Sequence, residues 1–410
     1  WEYSIDEKNK NVKFFWEDPK YKVRLLKSGR NAIKALCKCI ETQDKSVMLP
    51  IYTCDTVIQP FIDEGWNVYF YRINKDLTIN IKNFQYIYEK SNPKMVFVHS
   101  FFGFDTIGND YSLLKQCKLK GSVIVEDMTQ SLFSDHYLSF ADYYVTSFRK
   151  FLAIPDGGAL ISSNDIQLLN VKPANMLIAD VALEAFDLKK NYFVSEDKKI
   201  KEQFREKYQE LNCLIGENDS LKEISDISYK IINSCDRMSI SSIRKRNYTY
   251  LYDSLNDYTW IKPVLLEIKG KICPLYLPVY VKNRKELQSF LAERNIYCPV
   301  IWPKSKHITE MDDDSQYMYE HMLCIPIDQR YGLEEMNVIR DLQTQEQSCV
   351  EKYGKYSEQA KDEELKNLFN RLQKEEQKHL DSLGQVLNGQ VPASDCNDSD
   401  GKDYQPKASY

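Results

Sequence analysis

From about residue 47 short apolar runs alternate with polar stretches of helical period, the pattern of a parallel sheet whose faces are covered by helices. The runs are VMLPIY (47–52), NVYFYRI (67–73), KMVFVHSFF (94–102), SVIVEDM (122–128), DYYVTSF (142–148) and GALISS (158–163). Between them, DTVIQPFIDEGW and YSLLKQCKLKG carry apolar residues three and four apart and end in Gly, as amphipathic helices do. The spacing predicts an α/β domain over residues 1–165, including an N-terminal arm. Past residue 165 the regular alternation fades. Ser228 to Leu255 reads as one long amphipathic helix rich in Arg and Tyr. A smaller α+β domain follows within residues 166–340, with ICPLYLPVYV and IYCPVIW as strands and RKELQSFLAERN as the helix between them. Residues 341–388 continue as a helical pattern broken once near Asp362, and 389–410 form a polar tail of disordered composition.

The chain's 410 residues exceed the size, about 250–300 residues, at which a single core stops growing, which agrees with a large domain joined to a smaller one. The hydrophobic fraction of 43% places the chain among folded proteins rather than disordered ones. A formal net charge of −5 gives no electrostatic reason to expect nucleic acid or an anionic membrane as a partner. Eleven Cys without a pairing pattern read as reduced thiols in a cytoplasmic protein. No run approaches the roughly 18 consecutive apolar residues of a membrane span, and WEYSIDEKNK is too polar for a signal peptide. The chain opens at Trp1 rather than Met, as an N-terminally incomplete sequence would.

Three motifs, in order, fit one chemistry. Ser28-Gly29-Arg30 precedes NAIKALCKCI, so a small pair opens an amphipathic helix whose positive end could seat a phosphate, with Arg30 adding charge. An ordinary N-cap explains the same residues. In VIVEDMTQS an apolar strand ends at Asp127, where open α/β sheets bind ligands, and Gln130 follows one turn on. The carboxylate could keep a pyridine nitrogen protonated, or be a solvated strand end. In YYVTSFRKFLAIPDGGAL, Ser147 precedes Lys150, and Phe148, Phe151 and Leu152 surround the lysine. Desolvation there lowers the lysine pKa and leaves an amine able to form a Schiff base, although most lysines simply lie at the surface. The order of the three favours the chemical reading. His99, at the end of its own strand, could contact a cofactor or substrate or be a structural histidine.

The stretch from Ser28 to Ser162, with SGRNAI, LPIYTCDT, VFVHSFFG, VEDMTQS and the Lys150-to-Gly158 spacing, resembles the DegT/StrS-type sugar aminotransferases, and LCIPIDQRYGLEEMNVI resembles the end of that family's small domain. The resemblance spans about residues 15–340. It implies fold type I of the pyridoxal-phosphate (PLP) transferases, with Lys150 as the lysine that carries PLP and shuttles a proton, and Asp127 on the pyridine nitrogen. Gln130 would then contact the phenolic oxygen, and Ser28, Gly29, Arg30 and Ser147 would hold the phosphate. Arg30 departs from the family's commoner Thr. Ser147 stands only three residues before Lys150, and Cys54 replaces an aromatic that stacks on the ring, a role left to Tyr52 or His99. The implied activity is transfer of an amino group from an amino-acid donor to a keto acceptor, many relatives using nucleotide-linked keto-sugars for surface polysaccharides, in a cytoplasmic homodimer. The retained lysine sets the chain apart from the family's dehydratase branch, whose members carry His there. A PLP enzyme of another reaction type and a non-catalytic, coat-like scaffold are the alternatives.

The 341–388 segment reads as a helical hairpin that resembles the ferritin-like modules of some spore-coat proteins. Glu376 and His379 share a helix face as Glu-x-x-His, with Glu346 on the preceding helix. A di-iron bundle needs two such motifs on four helices. One motif on two helices fits a solvated hairpin better than a metal site.

Overall fold

The structure, a computed structural model, describes residues 13–340 apart from 169, 218–219, 256–260, 265–267, 269 and 294, and in addition 366–367, 370–374, 377–378 and 381. The first ten elements build the large domain: β1 (Lys22–Leu26), α1 (Gly29–Cys39), β2 (Ser46–Pro50), α2 (Asp55–Asp63), β3 (Asn67–Tyr71), α3 (Ile81–Ser91), β4 (Met95–His99), α4 (Tyr111–Leu119), β5 (Val123–Asp127) and β6 (Tyr143–Ser147). Strand β7 (Gly158–Ser162) completes a seven-stranded sheet of order β1-β7-β6-β5-β4-β2-β3. Strands β2 to β6 run parallel, while β7 and β1 are antiparallel additions at one side. Every residue of β2, β4 and β7 is buried, which is why these strands read as unbroken apolar runs. The edge strands β1 and β3 instead alternate in burial. After β3 the chain returns across β2 to lay down β4, so strand order reverses between β2 and β4 and the loops leaving those two strands diverge, as at a ligand-binding switch point.

Two long helices, α5 (Met176–Ser195) and α6 (Lys198–Gly216), then pack on each other around a small core of Ile178, Val181, Ala182, Leu211 and Ile215. The helix expected over Ser228–Leu255 is two helices, α7 (Asp226–Ser234) and α8 (Arg237–Leu255). Cys235 is extended between them, and Asp236 accepts a hydrogen bond from Ser239 N at 3.0 Å, an N-cap that starts the second helix afresh. The smaller sheet is antiparallel, β10-β9-β8, from β8 (Ile261–Pro263), β9 (Leu277–Val281) and β10 (Met322–Ile325), with α9 (Arg284–Glu293), α10 (Asp313–His321) and α11 (Leu333–Arg340) around it. The strand expected over IYCPVIW is absent. That segment meets β10 through Cys324 N to Pro299 O at 3.2 Å, and Pro299 has no N–H to extend a ladder. Both sheets feed one continuous core.

The 341–388 hairpin lies outside the described residues except at 366–367, 370–374, 377–378 and 381, which are helical. Glu346, Glu376, His379 and the 389–410 tail also lie outside them. No helix among the described residues is long and apolar enough to cross a membrane.

The turn after β4 joins the two sheets. Phe102 is wholly buried at φ 54°, a strained conformation for a non-glycine residue. It is clamped on both sides: its N–H donates to Gln130 Oε1 at 2.7 Å, and its carbonyl accepts from Leu275 N at 2.9 Å. Gly103 follows at φ 93°, its carbonyl receiving Ser134 Oγ (2.7 Å) and His136 Nε2 (2.8 Å). A β-carbon at Gly103 would lie 2.1 Å from Cys273 O. Beneath this turn, buried Glu126 accepts from Ser100 Oγ (3.1 Å) and Leu138 N (2.7 Å). Burial pushes its carboxyl up to about 7, against the opposite pull of those hydrogen bonds.

Gly103→Ala should lower unfolding stability by about 1–3 kcal/mol, read as a reduced denaturant midpoint. For Glu126, the folded state keeps a proton that the unfolded chain releases near its ordinary value of 4.5. That contribution, about 3 kcal/mol at most, is complete below pH 4.5 and lost as pH rises through about 7. The parent's thermal midpoint should therefore fall over this window relative to Glu126→Gln; parallel curves would refute the assignment.

Candidate active site

Strands β4, β5 and β6 end at His99, Asp127 and Ser147, with His99 opposite Asp127 and Asp127 opposite Val145 in register, so three polar residues line the carboxyl edge of the parallel sheet. The N-terminus of α1 is brought to the same edge by glycines. A β-carbon on Gly158 would sit 2.3 Å from Ser28 C, so β7 abuts the helix start at a distance only glycine allows, and one on Gly29 would make a tight 3.2 Å contact with Ser147 Cβ at the end of β6. Ser28 caps the helix by accepting from Asn31 N at 3.2 Å, the ordinary capping role considered for it. Ser147 Oγ makes no hydrogen bond to the described residues, while its backbone N–H is fixed by Thr129 Oγ1 at 3.1 Å. Arg30 turns towards the end of α6, its Nη1 3.3 Å from the position of a Gly216 β-carbon. A helix N-terminus, the Ser147 hydroxyl and arginines near one edge are groups that could seat a phosphate.

Asp127 is 4% exposed. Its Oδ1 accepts from Thr129 N at 2.8 Å, and its Oδ2 lies 3.2 Å from His99 Nδ1. Each carboxylate oxygen retains a further lone pair for a ligand. Gln130 spends its Oε1 on Phe102 N, and its amide N–H groups make no hydrogen bond to the described residues.

Lys150 closes a single 3-10 turn, Phe148–Lys150, that follows β6 directly. The turn is held by Phe148 N to Gly157 O (3.2 Å) and by Gly157 N to Lys27 O (2.7 Å). The small domain secures its far end: Gln329 Nε2 donates to Phe151 O at 2.9 Å, and Gln329 Oε1 accepts from buried Arg244 Nε at 2.8 Å. Buried Asp156 fastens the following loop to α7, accepting Ser225 Oγ at 2.7 Å and Ser225 N at 3.1 Å. Lys150 and Arg149 are both half-buried. Burial, reinforced by Arg149 and Arg30, holds the Lys150 amine below the usual lysine range, against the opposing pull of Cys54 and Asp127. Burial and Arg30 likewise bring Arg149 down to about 10.

Ser28, Gly29, Asp127, Gln130, Ser147, Lys150 and His99 therefore meet at one sheet edge. Cys54, half-buried at the start of α2 with Sγ 2.9 Å from Thr56 Oγ1, joins them through its electrostatic contact with Lys150. Tyr52 does not share this setting. It is 2% exposed, its hydroxyl donates to Met322 Sδ, and its ring packs against Trp302 and Tyr319 in the core between the two sheets. Thr53, Thr129, Arg149 and Trp302 were not singled out from the sequence, yet they surround these groups. Only Arg149 carried a signal, a second cation beside the candidate lysine.

No family model matches the chain, and no curated protein matches it. Solved structures do. The putative sugar aminotransferase Spr1654 of Streptococcus pneumoniae aligns at a TM-score of 0.57 and 16% identity, over 80% of this chain and 86% of its own. A DegT DnrJ EryC1 StrS aminotransferase from Brucella abortus aligns at 0.54 and 16%, covering 78% and 84%. PseC of Helicobacter pylori, an aminotransferase of pseudoaminic acid biosynthesis, aligns at 0.55 and 14%, again covering 78% and 84%. At this level of identity the shared property is architecture, and the chain has the fold of the DegT/DnrJ/EryC1/StrS sugar aminotransferases, PLP-transferase fold type I.

Proposed function

We propose that this chain is a PLP-dependent aminotransferase that moves an amino group from an amino-acid donor to a keto acceptor of the nucleotide-linked sugar class. The observation that carries the reading is the half-buried Lys150, its amine held below the ordinary lysine range beside Asp127 at the carboxyl edge of a fold type I sheet. The residues fit the cofactor's three polar features. The Gly29 cradle against Ser147, with Arg30 and Arg149 nearby, suits the phosphate. Asp127 suits the pyridine nitrogen, and the unspent amide of Gln130 suits the phenolic oxygen. The Ser-to-Lys spacing, shorter than in relatives, leaves Ser147 facing Gly29 all the same.

Bound PLP supplies an electron-withdrawing ring conjugated to the substrate's amino-bearing carbon. Lys150 would hold the cofactor covalently and, once displaced by the donor's amine, take the proton from the substrate Cα, a transfer eased by its lowered pKa. Asp127 would keep the pyridine nitrogen protonated. Arg30, Arg149, Ser147 and the α1 N-terminus would anchor the phosphate. Kinship in fold supports a homodimer, and the nine described cysteines, all free thiols, agree with a reducing cytoplasm.

Purified protein given PLP should develop a visible absorption band that Lys150→Ala lacks, and the variant's turnover should fall by about 10²–10⁴-fold or more. Glutamate or another amino donor should bleach the band. A parent protein that shows no band with PLP refutes the reading. Turnover with simple 2-oxo acids but not with nucleotide-linked keto-sugars would keep the reaction and replace the acceptor class.

A further inference from the structure

Resting on the cofactor reading above, we infer that Thr53 and His99 are positioning residues that hold the Asp127 carboxylate for the pyridine nitrogen, in a single line of polar contacts across the switch point of the sheet. Thr53 leaves the loop after β2, His99 ends β4 and Asp127 ends β5. Thr53 Oγ1 lies 2.7 Å from His99 Nε2, and His99 Nδ1 lies 3.2 Å from Asp127 Oδ2. The three residues are 0%, 6% and 4% exposed, so water does not stand in for any of these contacts cheaply.

The chemistry of the partners sets the direction of the line. An ionised carboxylate only accepts, so Nδ1 carries the proton that faces Asp127. In the neutral ring Nε2 is then an acceptor, and the Thr53 hydroxyl donates to it. Both ring nitrogens are thereby spent within the protein. The ring itself is walled by Phe97, Phe101 and Trp302, with centroids at 5.6, 5.6 and 5.8 Å. His99 thus has no polar atom left for a ligand and acts through Asp127. Thr53 is anchored from the small domain: Tyr319 Oη donates to Ile51 O at 2.8 Å and approaches Thr53 O at 3.5 Å. The second hold on Asp127, Thr129 N on Oδ1, restrains the other oxygen, so the carboxylate plane is fixed by two elements at once.

The test uses Thr53→Val, which is nearly isosteric, Thr53→Ser, which keeps the hydroxyl, and His99→Asn. In the PLP-loaded protein the pH midpoint of the visible band should rise by about half to one unit in Thr53→Val and in His99→Asn. The rise is expected because a ring nitrogen less firmly protonated withdraws fewer electrons. Thr53→Ser should titrate as the parent does, and Thr53→Val should add nothing in the His99→Asn background. A Thr53→Val midpoint equal to the parent's, or additive shifts, overturns the inference. In the cofactor-free protein, ¹⁵N NMR should find the His99 ring protonated on Nδ1, a signal assigned by its loss in His99→Asn. A neutral ring protonated on Nε2 instead overturns the line whether or not PLP binds, whereas a parent protein without a visible band refutes only the cofactor reading.

Discussion

Two carboxyl groups, Asp127 and Glu126, are taken out of water at one edge of one sheet, with Lys150 and Arg149 half-buried beside them, and the architecture around them is organised by that fact. An enclosed charge is tolerated only when partners or a shifted protonation state meet its desolvation. The chain uses both answers. Asp127 has Thr129 N and His99. Glu126, one residue earlier and on the opposite face of β5, has Ser100 and Leu138, and its carboxyl is pushed up to about 7. Lys150 responds by a lowered pKa, which favours the neutral amine.

Adjacent carboxylates in VIVEDM therefore have separate tasks. Asp127 faces the candidate site, and Glu126 ties into the turn after β4. Glu126 ties down the turn whose strained Phe102 is clamped by Gln130 and Leu275, and Gln130 in turn belongs to the site. Strain at Phe102 is thus held by residues from β5's exit and from the small domain together, which couples the shape of the site to the seating of the two sheets. The same coupling recurs at Lys150, whose turn is secured from the small domain by Gln329 and Arg244.

The positions at which the sequence resemblance breaks down also have local settings in the structure. With Cys54 in place of an aromatic, the nearby rings come from the core: Trp302, from a segment that forms no strand, lies beside Tyr52, Phe101 and His99. Arg30 faces the end of α6, and Arg149, the residue before Lys150, is a second cation beside the lysine.

Much of the site was legible in the linear chain because its parts are punctuated locally. Ser28-Gly29 opens a helix, Asp127 ends an apolar run, and Lys150 lies between such a run and a glycine pair. These are short-range signals, and they carry the resemblance that implied fold type I. Elements held by distant contacts were not legible. Strand β1 exists only because it pairs with β7, and IYCPVIW has strand composition but no ladder beside it, since Pro299 supplies no donor. A helix continuous from Ser228 to Leu255 satisfied periodicity, yet Asp236 capped a new one. Thr53 and His99, 46 residues apart, became partners only when β2 and β4 came to lie side by side at the point where strand order reverses. Hydrophobic period is a property of neighbours along the chain. A buried hydrogen bond between a loop and a strand end is a property of which strands pair, and no local pattern encodes it.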